Sequence, residues 1–338
     1  MAGVFEQIAR DIPKIGAVDS SRGRTLFSED VPIDDPLVLR VFRSKKAHAE
    51  IINLDVKRAG QIPGVIGVLT AADIPGKNLF GLINKDQPLL AHDKVRFEGE
   101  AIALVAAEND HAAQQAVDAV QVNYQELPPV FDMERALDQD ATPIHEGGNL
   151  LFRRTIRKGD AAEGLLRSHV VVQRCYQTSH LEHAYLEPDA GAGYLDEDGT
   201  LVIYASTQNP HYDHGEVCQI LGLEEERVRI IQAATGGGFG SKLDLTAQGF
   251  IGLALFHFQR PVRLVYTREE SFLSTSKRHP FIIRMESGAE KDGRLSALRV
   301  KMICDTGAYA SYGLAVATRA AVHVTGPYEV ENVEVECL

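Results

Sequence analysis

The sequence of 338 residues predicts an α+β protein. Three observations carry that expectation. Short runs rich in Val, Ile and Leu recur along the chain and are broken by Gly, Pro, Asn and Asp, as strands are. Only a few segments carry apolar residues at helical spacing. One apolar run, residues 228–232, leads into three consecutive glycines and then into a helical pattern, so a strand, a glycine loop and a helix follow one another.

The elements divide the chain into two units. Residues 1–16 read as an N-terminal extension; charges alternate with apolar residues there, and the apolar core of a signal peptide is missing. Residues 17–130 read as a mixed α/β domain, with strands at 37–42, 49–54, 65–69 and 102–106. Asp55 is placed to cap a brief helix before Pro63-Gly64. Asp110 is placed to cap a helix whose Ala113, Ala116, Val117 and Val120 share one face, and residues 120–124 return to extended chain. Residues 131–160 are polar and turn-rich (Pro143, Gly147, Gly148), the composition of a linker. Residues 161–338 form a second, strand-rich domain, with strands at 170–176, 201–204, 228–232, 262–266, 281–285 and 298–304. Its first helix has Asn209 as N-cap, Pro210 in the first turn and Gly222 just past its end.

Composition excludes several functions. Apolar residues at 44% against 24% charged suit a globular protein with a sizeable core. A net charge of −12 argues against nucleic acid or an anionic membrane as partner. The longest apolar stretch, residues 250–258, is too short to span a bilayer, and the cytoplasm is the simplest location. Cys175, Cys218, Cys304 and Cys337 lie far apart with no C-x-x-C pair, so they read as buried free thiols and not as disulfides or cluster ligands.

The glycine loop is the most informative segment. In Gly236-Gly237-Gly238-Phe239-Gly240-Ser241-Lys242 the backbone can take positive φ and lie flat against a ligand, and a helix start directly after it would favour an anionic group. A phosphate-binding P-loop needs Gly directly before its Lys, where Ser241 stands. A dinucleotide fingerprint needs its third Gly where Ser241 or Phe239 stands. Neither fits. Phe239, the one large side chain of the loop, suggests an exposed pocket wall.

This loop resembles that of the molybdenum hydroxylases, the xanthine dehydrogenase and aldehyde oxidoreductase family. Further segments resemble the same family in the same order: Val95-Arg96-Phe97-Glu98-Gly99-Glu100, Glu182-His183-Ala184-Tyr185-Leu186-Glu187-Pro188, Ser206-Thr207-Gln208-Asn209-Pro210, Arg260-Pro261-Val262-Arg263 and Lys277-Arg278-His279-Pro280. The resemblance runs over about residues 16–338. It implies a hammerhead-like α/β domain followed by the first part of the molybdopterin-binding domain. It also implies oxidative hydroxylation of a heteroaromatic (purine-like or nicotinate-like) or aldehyde substrate with water as the oxygen source.

By that resemblance Gln208, Gly238, Phe239 and Gly240 face the molybdopterin, and Gln208 reaches the molybdenum indirectly, through its apical oxygen. Arg319, nine residues before Tyr328, stands where purine-oxidising members bind substrate, and Phe239 and Leu243 border the same pocket. Leu243 replaces the glutamate of the xanthine-oxidising members, so recognition of a purine by that carboxylate is not available. The resemblance places the glutamate base and a second cofactor-binding segment on a missing second half of the molybdopterin subunit, so no catalytic residue is expected here. Iron–sulfur (2Fe-2S) and FAD subunits are the further partners it implies.

Two other readings remain. His180, His183, Glu187, His211 and His214 carry i, i+3 histidine spacings that a metallohydrolase could use. Alternatively, the chain is a structural half-subunit without activity until a partner chain is added.

Overall fold

A computed structural model describes residues 11–338; the first ten residues of the expected N-terminal extension lie outside the described ones. Three sheets organise the chain. The largest has seven strands, in the spatial order Val228–Gln232, Leu201–Ala205, Ala190–Leu195, Val262–Val265, Leu37–Arg43, Ala101–Ala107, Val65–Thr70. Its last three strands come from the N-terminal third of the chain and its first four from the middle. The seam is parallel, with Leu37 opposite Val262 and Leu39 opposite Leu264. One ladder therefore runs through both units that the sequence suggests.

The core of this sheet lies under two helices, Pro210–Leu221 and Ala247–Phe258. The second helix is apolar all round, as a helix buried on several sides must be. It sits very close to strand Ala190–Leu195. A Cβ on Gly191 or Gly193 would come within 2.6 Å of Ile251 or 2.8 Å of Leu255, so glycine there sets the helix–strand distance. The other face of the sheet carries helix Asp110–Ala119, with Ala112, Ala113 and Ala116 buried. Asn109, not the expected Asp110, is its N-cap: the Asn109 side chain accepts the Ala112 N–H at 3.0 Å. Asp110 instead pairs with Arg40 across the strand at 2.7 Å. Asp55 caps no helix of its own; it accepts the Lys57 N–H, and a single 3₁₀ turn follows at Ala59–Gln61.

A small sheet pairs Ala49–Asp55 with Lys94–Val95 and Gln121–Glu126. The third sheet has five strands, in the order Arg154–Lys158, Asn332–Cys337, Leu295–Cys304, Phe281–Ala289, Val170–Gln177. Residues 131–160, read as a linker, thus end in a paired strand. Helix Gly313–His323 covers one face of this sheet through Ala317 and Ala321. The edge strand Val170–Gln177 is exposed along its whole length, and this puts Cys175 on the surface against the expectation of a buried thiol. Cys218 and Cys337 are buried. Among the described residues no helix is long and apolar enough to cross a membrane.

Candidate functional site

The seven-stranded sheet delivers two strand ends to one place. Strand Leu201–Ala205 runs into Ser206, Thr207 and Gln208; its parallel neighbour Val228–Gln232 runs into the glycine loop. Parallel pairing of these strands puts their carboxyl ends side by side, the part of an α/β sheet where ligands bind. The loop does not pass directly into its helix. A 3₁₀ turn spans Ser241–Leu243, and the long helix starts only at Ala247, so its N-terminus is not the anion site expected from the sequence.

Gln208 and the loop are fitted to each other. The Gln208 N–H donates to the Lys242 carbonyl at 2.8 Å, and the Gly240 N–H donates to Gln208 Oε1 at 2.9 Å. A Cβ on residue 238 would stand 2.4 Å from that same Oε1, so only glycine lets the amide lie against the loop. Gly237 and Gly240 take φ of 101° and 102°. Phe239 also has a positive φ, 52°, which a bulky residue adopts only where surrounding contacts impose it, and it is 73% exposed.

The loop's amides divide into two groups. Gly236 N–H donates to Glu187, Gly240 N–H to Gln208, and Ser241 N–H to the Gly238 carbonyl. The N–H groups of Gly237, Gly238 and Phe239 have no protein acceptor among the described residues. With Gln208 Oε1 occupied, its Nε2 is left as a donor on an exposed side chain. Three successive amides without a protein acceptor, beside a neutral amide donor, are a donor set suited to an anionic or oxo group. A molybdenum–pterin cofactor, rich in such acceptors, fits this donor set.

Lys242, by contrast, faces inward. Its side chain is 0% exposed, and Nζ donates to Glu187 Oε2 at 2.9 Å, to the Glu187 carbonyl at 3.0 Å and to Ser206 Oγ at 2.7 Å. The ammonium also lies 4.5 Å from the centre of the Tyr185 ring. Glu187 Oε2 further accepts Ser206 O–H at 2.6 Å and Gly236 N–H at 2.7 Å. Burial alone would raise the Glu187 pKa, but the donors from Ser206, Lys242 and Gly236 hold it below the usual glutamate value. In the sequence Glu187 and Lys242 stand out only as members of their motifs. No signal in the sequence marks them as a pair; only the structure shows the lysine fully buried, where it requires a partner.

Asp213 and Asp244, by contrast, have no such cation within ion-pair distance among the described residues. Asp213 is fully buried, accepts Gln248 Nε2 at 3.1 Å, and leaves Oδ1 without a partner among the described residues. Burial pushes its pKa up to about 7, against the Gln248 hydrogen bond. Burial also raises Asp244, which accepts Ser311 O–H at 2.6 Å. The Asn209 side chain does not cap its helix as expected. It donates to Tyr312 Oη at 2.9 Å and so ties Gln208's neighbour to the start of helix Gly313–His323.

The remaining sequence candidates scatter. Leu243 is half-buried in the 3₁₀ turn directly after the loop. Arg319 is exposed on helix Gly313–His323, seven residues beyond Tyr312, or about 10 Å along the helix axis. The two histidine pairs have separate surroundings: His214 Nε2 contacts the carbonyls of Glu225 and Val228, whereas His180 faces Asp305 at 3.5 Å. Among the described residues no group of three or more His, Cys, Asp or Glu is arranged to hold a metal.

Comparison with known proteins identifies the family. The family described as "Molybdopterin cofactor-binding domain" matches residues 144–338, and "Aldehyde oxidase and xanthine dehydrogenase, a/b hammerhead domain" matches residues 22–128. The chain is 47% identical over 332 residues to the nicotinate dehydrogenase large molybdopterin subunit of Eubacterium barkeri, covering 98% of this chain and 78% of that protein. It is 32% identical to the xanthine dehydrogenase molybdenum-binding subunit of Escherichia coli O157:H7, covering 90% of this chain and 42% of that protein. The solved aldehyde oxidoreductase of Desulfovibrio gigas superposes with a TM-score of 0.93 at 28% identity, over 96% of this chain and 37% of that one. The chain thus spans less than half the length of the second relative and of the solved structure. Matching domains, a relative of nearly half identity and a common fold carry one conclusion: the chain belongs to the xanthine dehydrogenase and aldehyde oxidoreductase family of molybdenum hydroxylases.

Proposed function

We propose that this chain supplies one wall of the cofactor site in a molybdenum hydroxylase that oxidises a heteroaromatic or aldehyde C–H with water as the oxygen source. The observation that carries the reading is the row of free amides at Gly237, Gly238 and Phe239 beside the Gln208 amide. The bound molybdenum cofactor supplies the two-electron oxidation. The chain's own residues bind and orient: Gln208 donates from Nε2, the loop amides donate beside it, and Phe239 bounds the substrate space. Donors fixed in advance do this without reorganising during the reaction.

Among substrates, a pyridine carboxylate of the nicotinate type is favoured. The 47% identity to a nicotinate dehydrogenase subunit supports it, and so does Leu243, an apolar residue beside the loop. Arg319 is the group that would hold such a carboxylate, with two parallel hydrogen bonds. The division into 17–130 and 161–338, a second half of the molybdopterin subunit carrying the glutamate base, iron–sulfur and FAD partner subunits, and a cytoplasmic location belong to the same proposal.

The test is purification of the natively expressed chain with the proteins that accompany it, followed by metal analysis and assay with nicotinate, a purine and an aldehyde. About one molybdenum per chain with turnover of one of these substrates is the expected result. A molybdenum-free chain that stays alone would overturn it.

A further inference from the structure

The glycine loop has a conformation that its own sequence does not impose. Gly237, Phe239 and Gly240 all have positive φ, and Phe239 carries a full side chain there. Backbone of this kind persists only where its surroundings over-determine it. The contacts that could do so converge on one buried pair. Lys242 uses all three ammonium protons, two on Glu187 and one on Ser206, and Glu187 Oε2 in turn fixes Gly236 N–H at the loop's entry. At the exit, the Lys242 carbonyl accepts the Gln208 N–H. The entry is therefore tied to Glu187, and the exit and the facing amide to the Lys242 backbone, so both ends of the loop rest on this buried pair. A Cβ on Gly236 would stand 2.6 Å from Glu187 Cβ, so the loop lies directly on this pair.

We infer that the Lys242–Glu187 pair is a positioning device for the cofactor wall, holding the free amides of residues 237–239 and the Gln208 side chain in place before cofactor binds. Lys242 touches no cofactor in this scheme; it acts through the loop. The inference rests on the proposed function for what the wall binds, but the rigidity of the loop is a property of this chain alone. A purely structural pair would stabilise the fold and leave the loop's local order unchanged when both charges are removed together.

The experiment uses the full chain, purified with its accompanying proteins, as wild type, Lys242→Met and the double variant Lys242→Met/Glu187→Gln. Thermal midpoint, molybdenum per chain and backbone hydrogen exchange over residues 236–240 are measured. The single variant leaves Glu187 buried without its cation and lowers the midpoint; the double variant removes both charges and recovers most of it. Molybdenum retention is expected to stay about tenfold below wild type in both, the scale seen when outer supporting contacts of a metal site are lost. Exchange at Gly236 and Gly240, the loop amides with protein acceptors, is expected to be faster in both. A third variant, Ser206→Ala, keeps both charges and removes the hydroxyl between them; faster local exchange at Gly236 and Gly240 supports positioning. Wild-type exchange and wild-type molybdenum in the double variant or in Ser206→Ala overturn the inference. A wild-type chain without molybdenum defeats the proposed function instead, and local exchange then decides the inference by itself.

Discussion

Two buried carboxyl groups, Glu187 and Asp213, differ in their partners. Glu187 has a lysine, a serine and a backbone amide pointing at a single carboxylate oxygen. Asp213 has the Gln248 amide on one oxygen and, among the described residues, nothing on the second. The first carboxyl is held ionised and the second is pushed toward its neutral form. Burial is common to both; hydrogen bonds from Ser206, Lys242 and Gly236 hold Glu187 ionised, whereas the like charges of Asp244 and Glu216 add to the burial of Asp213. A paired carboxylate can fix a loop through charge, whereas an unpaired one can only fill space and share a proton.

The largest effect should come from breaking the paired side. Glu187→Gln leaves the Lys242 ammonium buried beside a neutral amide, and losing one partner of a buried pair costs about 3–5 kcal/mol. Denaturant unfolding of the purified variant measures this directly. A loss below about 1 kcal/mol would mean the pair behaves like a surface contact, and the contrast with Asp213 would lose its basis.

Next in size is Gln208→Ala. It removes the side-chain acceptor of Gly240 N–H and the outward Nε2 donor, while Ser206 and Lys242 keep their own network. Removing one donor of this preorganised kind lowers turnover by about a hundredfold. The fold should persist, since Gln208 is exposed. Steady-state kinetics of the assembled enzyme check the turnover, and circular dichroism checks the fold. Unchanged turnover would take Gln208 out of the site.

Much of this is legible in the sequence, and the exceptions have physical causes. Strands such as 37–42 and 228–232 stand out because β-branched residues fill them. Strand Ala190–Leu195 does not, because its alternating Gly and Ala residues admit helix Ala247–Phe258 and carry no β preference. Strand Asn332–Cys337 alternates valine with glutamate, and its glutamates lie on a charged sheet face that is indistinguishable from solvent in the pattern alone. The contact between Gln208 and the glycine loop is visible in the sequence as a pair of motifs, not as a hydrogen bond. The inward turn of Lys242 is not visible at all, since spacing along a chain does not say which way a loop side chain points. Asn209 and Asp110 read as caps from residue type, but tertiary partners, Tyr312 and Arg40, claim both side chains.

Asp213 supplies an effect of opposite sign in pH. Its folded pKa of about 7 lies above the ordinary value of 3.8, so the folded chain keeps the proton over a range where the unfolded chain loses it. Its contribution is complete below about pH 4 and is lost as pH rises toward 7, at a slope of about 1.4 kcal/mol per pH unit at most. Asp213→Asn should flatten that part of the stability curve. Glu187 acts the other way, since its lowered pKa gives stability that is lost as pH falls through the acid range. Unfolding free energy measured from about pH 4 to 8 in wild type and Asp213→Asn separates the two. A parallel pair of curves would show that Asp213 does not titrate in this window.

The smallest effect belongs to the charged face of the five-stranded sheet. Arg299 reaches Glu286 at 2.8 Å and Glu334 at 3.2 Å, distances close to those around Lys242. What differs is water: the Arg299 side chain is 38% exposed and that of Lys242 not at all. Solvent screens the first and competes for its partners, so Arg299→Ala should cost about 1 kcal/mol or less, and less still in high salt. The buried pair should be nearly insensitive to salt. Unfolding of Arg299→Ala and Glu187→Gln at low and high ionic strength therefore tests the ranking by burial. If the two variants lose similar stability and respond alike to salt, hydrogen-bond geometry rather than desolvation sets the strength of these pairs. The Lys242 anchor would then have no special hold on the loop.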